Sequence, residues 1–255
     1  MSLIRINPSD YKNIVFLTGA GISAASGIQT YRGSQGLWND GDLYRLSQGS
    51  TLRSQPLETW RFFSRLRALA AKVDPNPAHR FLAGLEAKLQ SDQSLTVVTQ
   101  NIDGLHTKAG SLRVIEFHGA VRRTRCFDDT CSGLPFEETV LHETAVPVCP
   151  VCGSIQRPDV VLFGEAIPPS ASGGALKALA KCDLFVAVGT SGSVWPAAQF
   201  VQGAFKRGAR TVFLNLTPLE QGAPFFTEQY LGPAEATLPA LFGSGLEPEE
   251  LQGTD

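Results

Sequence analysis

The chain has 255 residues, 43% apolar and 18% charged, with a formal net charge of −2. That length suits one large domain, or one domain carrying a smaller insert. The balanced charge argues against bulk attraction to nucleic acid or an anionic membrane. No apolar stretch approaches the ~20 residues a membrane-spanning helix needs.

In chain order, residues 1–12 are polar and mixed, without the charged-then-apolar layout of a secretory signal. A cytoplasmic protein with reduced thiols is therefore expected. Short apolar runs at 14–17, 95–99, 114–117, 184–188 and 211–216 read as strands covered on both faces. A helix opening at 23–27 follows the first run. Stronger helical patterns lie at 78–89, 175–181 and 197–207, the last closing on Gly208. Alternating strands and helices predict an α/β fold, a Rossmann-like doubly wound parallel sheet. Two stretches break the rhythm: 33–74, which ends in helix-spaced aromatics, and 122–158, which carries most of the cysteines. They predict a smaller zinc-binding and helical lobe formed by two insertions. The expected division is 1–32, 75–121 and 159–242 for the sheet domain, 33–74 and 122–158 for the lobe, and a frayed acidic tail at 243–255.

Cys126, Cys131, Cys149 and Cys152 form a C-x4-C pair, 17 intervening residues, and a C-x2-C pair. Two tight turns bearing four thiols in a reducing compartment suit a tetrahedral zinc site. With all four positions filled by protein, no place remains for a reacting water, so the zinc is expected to be structural. Cys182 stands alone beside an apolar run and reads as a buried small residue.

Residues 18–33 read T-G-A-G-I-S-A-A-S-G-I-Q-T-Y-R-G. Gly19 and Gly21 permit a sharp turn and a close backbone approach, and the following helix start would face a pyrophosphate. The third glycine of a dehydrogenase fingerprint is replaced by Ala24, so that reading is poor. Other strand ends carry polar or glycine residues: 99–106 (T-Q-N-I-D-G-L-H), His118-Gly119, 189–192 (G-T-S-G) and Asn215. Five such ends on one sheet edge predict a ligand crevice.

Taken together and in order, G-A-G-I-S-A-A-S-G-I-Q-T-Y-R, T-Q-N-I-D-G-L-H-T-K-A-G, F-H-G, the cysteine pairs, R-P-D-V-V-L-F-G-E, G-T-S-G-S-V-W-P-A and L-N-L resemble a sirtuin. Sirtuins are NAD-dependent protein deacylases, and the matching stretches cover nearly the whole chain. The resemblance implies NAD bound across the crevice between the two lobes, with Gly19, Ala20, Gly21 and Ile22 at the cofactor. Arg32 would face the phosphates, and Tyr31 would stand where the family has a phenylalanine covering the reacting ribose. Ile102 and Asp103 would receive the nicotinamide carboxamide. Gln100 and Asn101 would bind the nearby ribose, and Gly189, Thr190, Ser191, Asn215 and Ala234 the adenosine half. His118 would be the general base, with Asn101 beside it in the catalytic set. Val161, Leu162, Phe163, Gly164 and Glu165 would wall the cleft opposite Ser193, Val194 and Trp195, where an acyl-lysine peptide adds as a strand. The implied products are nicotinamide, O-acyl-ADP-ribose and free lysine.

The closest likeness is to the branch holding the bacterial enzymes and the desuccinylases. Its Tyr-x-x-Arg pair, however, falls on Phe63 and Leu66. A succinyl carboxylate left unpartnered in an apolar pocket would cost several kcal/mol, so removal of acetyl or longer neutral acyl groups is expected. Arg65 and Arg67 flank the position, and a one-residue register shift would bring a cation in. Two other readings stay open: NAD hydrolysis or ADP-ribosyl transfer in the same crevice, and a non-catalytic NAD sensor.

Overall fold

The computed structural model describes residues 5–30, 40–191, 199–219 and 225–243. The predicted roles of Tyr31, Arg32, Ser193, Val194 and Trp195, and the tail beyond Gly243, lie outside them.

Six parallel strands form the main sheet: β1 (Asn13–Thr18), β2 (Ser94–Thr99), β3 (Val114–Glu116), β7 (Leu184–Val188), β8 (Arg210–Asn215) and β9 (Glu228–Leu231). Their spatial order is β3-β2-β1-β7-β8-β9. The chain runs outward from β1 to one edge, returns, and runs outward from β7 to the other. The reversal falls between β1 and β7, where open parallel sheets leave a crevice at their carboxyl ends.

Alternation along each strand divides the core. Ile14 and Phe16 face one side with Val97 and Val186, under α4 (Pro77–Ala87) and α8 (Ala234–Leu241). Val15 and Leu17 face the other with Val98, Phe185 and Phe213, under α6 (Pro169–Leu179) and α7 (Phe200–Lys206). Neighbouring residues of one strand thus serve opposite layers, which is why these runs are continuously apolar. The structure gives the 23–27 helix start as a 3₁₀ helix, Ala20–Ser26, ended by Gly27 at φ 86°. Residues Ala20 to Ser26 include no long side chain on a repeating face to sustain a longer α-helix.

The second body is a three-stranded antiparallel sheet, β5-β4-β6, of β4 (Gly119–Cys126), β5 (Phe136–Glu137) and β6 (Gln156–Val160). The helices α1 (Gly41–Leu46), α2 (Gly49–Ser54) and α3 (Pro56–Lys72) belong to the same body. Leu52, Phe62 and Phe63 bury with Val121, Val160 and Leu162, and the Trp60 indole N–H donates to the Gln156 carbonyl at 2.9 Å. The two sequence excursions therefore share one small core. Among the described residues, no helix is long and apolar enough to cross a membrane.

Candidate active site and zinc centre

β4 ends at Cys126, and the remaining thiols hang from two turns. Cys131 N–H donates to Asp128 O at 3.1 Å, Cys149 N–H to Ser154 O at 2.7 Å, and Gly153 N–H to Cys149 O at 2.9 Å. These turns gather the four Sγ atoms of Cys126, Cys131, Cys149 and Cys152 within 4.8 Å of one another. The closest pairs are 3.5 Å (Cys126–Cys152) and 3.8 Å (Cys131–Cys149). A zinc ion with ~2.3 Å bonds to four thiolates has sulfur–sulfur edges of about 3.8 Å, so the donor set fits that ion. Burial pushes the Cys126 thiol up to about 12. The N–H groups of Cys152 and then Val151 hold Cys149 down at about 7. Holding all four as thiolates this close would require a central cation.

The crevice is built from strand ends. After β1, Gly19 N–H donates to Val188 O and Gly21 N–H to Gly189 O, at 3.0 and 2.8 Å. A Cβ on Gly19 would lie 2.7 Å from Gly189 O, one on Gly21 2.7 Å from Gly189 Cα, and one on Gly189 2.3 Å from Ile22 N. The three glycines interlock the loops after β1 and β7. Their missing side chains serve this loop-on-loop contact, whereas the sequence reading assigned them to a close approach by ligand.

β2 delivers the next group. Gln100 Nε2 reaches across to Thr190 Oγ1 at 3.1 Å, linking the ends of β2 and β7 over β1. Asn101, buried at 4% exposure, donates through Nδ2 to Gly19 O and Ser23 Oγ, both at 3.1 Å. Asp103 accepts from Ser23 Oγ at 2.8 Å on one oxygen and from Leu105 N–H at 2.9 Å on the other. Burial raises the Asp103 pKa; the two hydrogen bonds and the Arg122 charge oppose that rise. Each carboxylate oxygen keeps a lone pair for a further donor. A cavity of about 30 Å³ lies here, lined among others by Ala20, Ile28, Leu66, Asn101, Ile102 and Asp103.

β3 pairs with β2 in parallel, Thr99 opposite Glu116, so His118 emerges beside Gln100. His118 Nδ1 lies 2.9 Å from the Gln100 carbonyl. A carbonyl only accepts, so Nδ1 carries the hydrogen and Nε2 keeps a lone pair. Burial lowers the His118 pKa, with the Gln100 bond opposing. Beneath Ser23 lie two fully buried histidines. His106 Nε2 meets Thr18 Oγ1 at 2.9 Å, and its ring centroid is 4.8 Å from that of His79.

The remaining predicted site residues divide. Asn215 sits at the end of β8 with Nδ2 turned to Thr217, and Ser191 is exposed at the crevice. Ala234 opens α8 with its methyl in the core at 5% exposure, so only its main chain can face a ligand. Val161 N–H donates to His118 O at 2.9 Å, tying the cleft wall to the histidine. The next residues form a turn and not a strand edge: Glu165 N–H donates to Leu162 O at 3.0 Å, with Gly164 at φ 83°. Phe163 N–H donates to Ser47 O and its carbonyl accepts from Gly49 N–H, at 2.9 and 3.0 Å. Sequence reasoning placed Glu165 in the cleft wall but missed its partner Arg157, whose bidentate pair with it at 2.6 and 2.7 Å stiffens this turn. The adjacent R-P-D and F-G-E motifs held the signal.

Phe63 is packed in the small core at 4% exposure, edge-on to Phe62 at 4.9 Å. Arg67 does not supply the missing cation. It is 4% exposed and donates to the carbonyls of Val121, Val140 and Arg123, to Glu138 and to Thr124 Oγ1. Arg65 is exposed on another face of α3.

The Sir2 family model matches residues 19–196. An NAD-dependent protein deacylase of Vibrio cholerae is 39% identical over 233 residues, 91% of this chain and 92% of that protein. A solved Sir2 homologue–NAD complex superposes with a TM-score of 0.82 at 32% identity, covering 93% of this chain and 91% of the other. A Sir2 structure bound to acetylated peptide superposes at 0.78 and 31% identity, covering 94% and 96%. Sheet order, thiolate cluster and the polar strand ends around His118 all agree with these matches over most of the chain, and the protein belongs to the Sir2 family.

Proposed function

We propose that the chain is an NAD-dependent protein-lysine deacylase acting on neutral acyl groups. NAD, as co-substrate, supplies a labile bond between ribose and nicotinamide. The observation that carries the reading is the pairing of two strand ends: Gln100 fixes the His118 ring, and three residues later Asp103 presents its carboxylate beside the same crevice. The family relationship and the NAD complex of a 32% identical relative support it.

In this reading Asp103 accepts the carboxamide N–H and holds the nicotinamide, which leaves as the acyl oxygen of the modified lysine bonds to the ribose carbon it vacates. A ribose hydroxyl then attacks the resulting imidate, and water releases the lysine amine. Ser23, Asn101 and Leu105 N–H keep that carboxylate in place. His118 takes a ribose hydroxyl proton on Nε2, the nitrogen left free by Gln100. Burial lowers its pKa and so favours the neutral, basic form. Gln100, Thr190 and Asn215 line the ribose and adenosine path in this reading; Tyr31 and Arg32, expected at the ribose and the phosphates, lie outside the described residues. The zinc supplies no chemistry; Cys126, Cys131, Cys149 and Cys152 would hold it and so hold the small sheet. The domain division predicted above, with the lobe at 33–74 and 122–158, belongs to this reading.

In this reading the acyl-peptide lies against the turn at 161–164; Val194 and Trp195, expected opposite it, lie outside the described residues. Phe163 already has both main-chain groups bonded to Ser47 and Gly49. Strand addition therefore falls to Gly164, whose N–H and C=O have no partner among the described residues. Leu66 on the cavity wall gives the acyl end an apolar surround, whereas Phe63 is packed in the small core and does not line it. A carboxylate there meets Asp103 on the cavity wall and no cation among the lining residues, which disfavours succinyl groups.

Mass spectrometry of products from NAD and one peptide bearing acetyl, butyryl, myristoyl or succinyl lysine tests this. Expected are nicotinamide and O-acyl-ADP-ribose with the neutral groups, and loss of both free lysine and O-acyl-ADP-ribose in His118→Ala. Nicotinamide released without acyl-peptide, or a succinyl preference, refutes the corresponding part.

A further inference from the structure

Arg122 has no place in the roles assigned so far, yet it meets the nicotinamide side of the crevice. It lies on β4 one residue after Val121, whose N–H donates to Ile102 O at 2.9 Å. A Cβ on Gly104 would come within 2.9 Å of Arg122 Nη1, so the guanidinium covers the bare Cα of the residue after Asp103. Gly104 has φ 76° and caps the short α5 (Leu105–Lys108). Two carboxylates hold the guanidinium there. Nη1 and Nη2 donate to the two oxygens of Glu116, at the end of β3, and Nε donates to Glu137 of β5 at 2.9 Å. Glu116 also accepts from Arg123, which donates to Asp159 of β6 at 2.7 Å. The main sheet, the zinc-bearing sheet and the Asp103–Gly104 turn thus converge on one cation. Its charge favours the Asp103 carboxylate, against burial and Glu116.

We propose that Arg122 is a positioning residue for the nicotinamide site, clamping the Asp103–Gly104 turn to the zinc-bearing sheet and setting the grip of Asp103 on the carboxamide. This rests on the role assigned to Asp103. Were the arginine only a surface tie, its loss would loosen the fold and affect all ligands alike. As a clamp it acts on nicotinamide in particular.

The test is exchange of isotopically labelled nicotinamide into NAD in the presence of acetyl-peptide, with the zinc-loaded full chain. Arg122→Met and the milder Arg122→Gln raise the nicotinamide concentration for half-maximal exchange by about threefold or more, with the acetyl-peptide KM unchanged. Arg122→Lys restores part of the loss. Glu137→Gln, which removes only a partner that is 70% exposed, leaves the exchange near wild type. Unchanged nicotinamide half-saturation in either folded variant overturns the clamp, as does an equal shift in peptide KM. Asp103→Asn separates the failures. If it exchanges normally, the role of Asp103 falls and the clamp with it; if it is impaired while Arg122→Met is not, only the clamp falls.

Discussion

Arg67→Met removes a guanidinium that makes five hydrogen bonds in the small core, at 2.9 Å to Val121 O, 3.0 Å to Glu138, 2.7 Å to Val140 O, 3.2 Å to Arg123 O and 2.9 Å to Thr124 Oγ1. Methionine fills much of the volume but satisfies none of the acceptors. Removing one side of a buried ion pair costs about 3–5 kcal/mol. The Glu138 side chain is 15% exposed, so some water reaches it and the low end, about 3 kcal/mol, is expected. For a chain this size that corresponds to a fall in Tm of about 6–12 °C. Thermal unfolding in excess zinc measures it, and kcat/KM on acetyl and succinyl peptides well below the transition measures specificity. The expected variant is less stable with an unchanged acetyl-to-succinyl ratio. A variant of wild-type Tm that alters only succinyl turnover would show that Arg67 reads the acyl group, and the structural account of it would be wrong.

Two further outcomes follow from the crevice. Burial holds His79 and His106 neutral, near about 4 and about 3. Both folded pKa values lie below the unfolded value near 6.5, so their contribution is fully present above that pH and is lost as pH falls toward about 4 and 3. Urea unfolding should lose about 2 kcal/mol per histidine between pH 6.5 and pH 5; a flat profile over that range would refute a buried neutral pair. Gly189→Ala places a methyl 2.3 Å from Ile22 N at a residue with φ 60°. Calorimetric titration should show NAD affinity falling about tenfold or more as the two loops part, on a strain of about 1–3 kcal/mol. Wild-type affinity would mean that the loops do not depend on that contact.

The sheet was readable because its strands are buried on both faces and leave unbroken apolar runs. β9 was not, because it is an edge strand whose Glu228 and Tyr230 alternate with exposed Gln229 and Leu231. β4 and β6 were hidden too: β4 carries Arg122, Arg123 and Arg125 and β6 carries Arg157, Pro158 and Asp159, and only the folded Glu116, Asp159 and Glu165 partners show why those charges are tolerated. The cysteine spacing pointed to the four thiols that the fold gathers, since chelation is local. The catalytic edge was visible as residue types but not as roles. Nothing in the letters says that Gln100 fixes the His118 tautomer, or that Gly21 and Gly189 touch. Those facts depend on parallel register, which brings residues 18 and 168 positions apart into contact.

The bonds from Phe163 to Ser47 and Gly49 reach further than the turn they stabilise. In the proposed reading they make one bank of the peptide channel an extension of the helical insertion, while the dinucleotide cradle is framed by the larger sheet. Selection on which proteins are recognised can therefore work through helices α1 and α2 without disturbing the machinery that cleaves the cosubstrate. A chimera exchanging residues 40–54 for those of a relative would re-aim the peptide and leave the cofactor's seat intact.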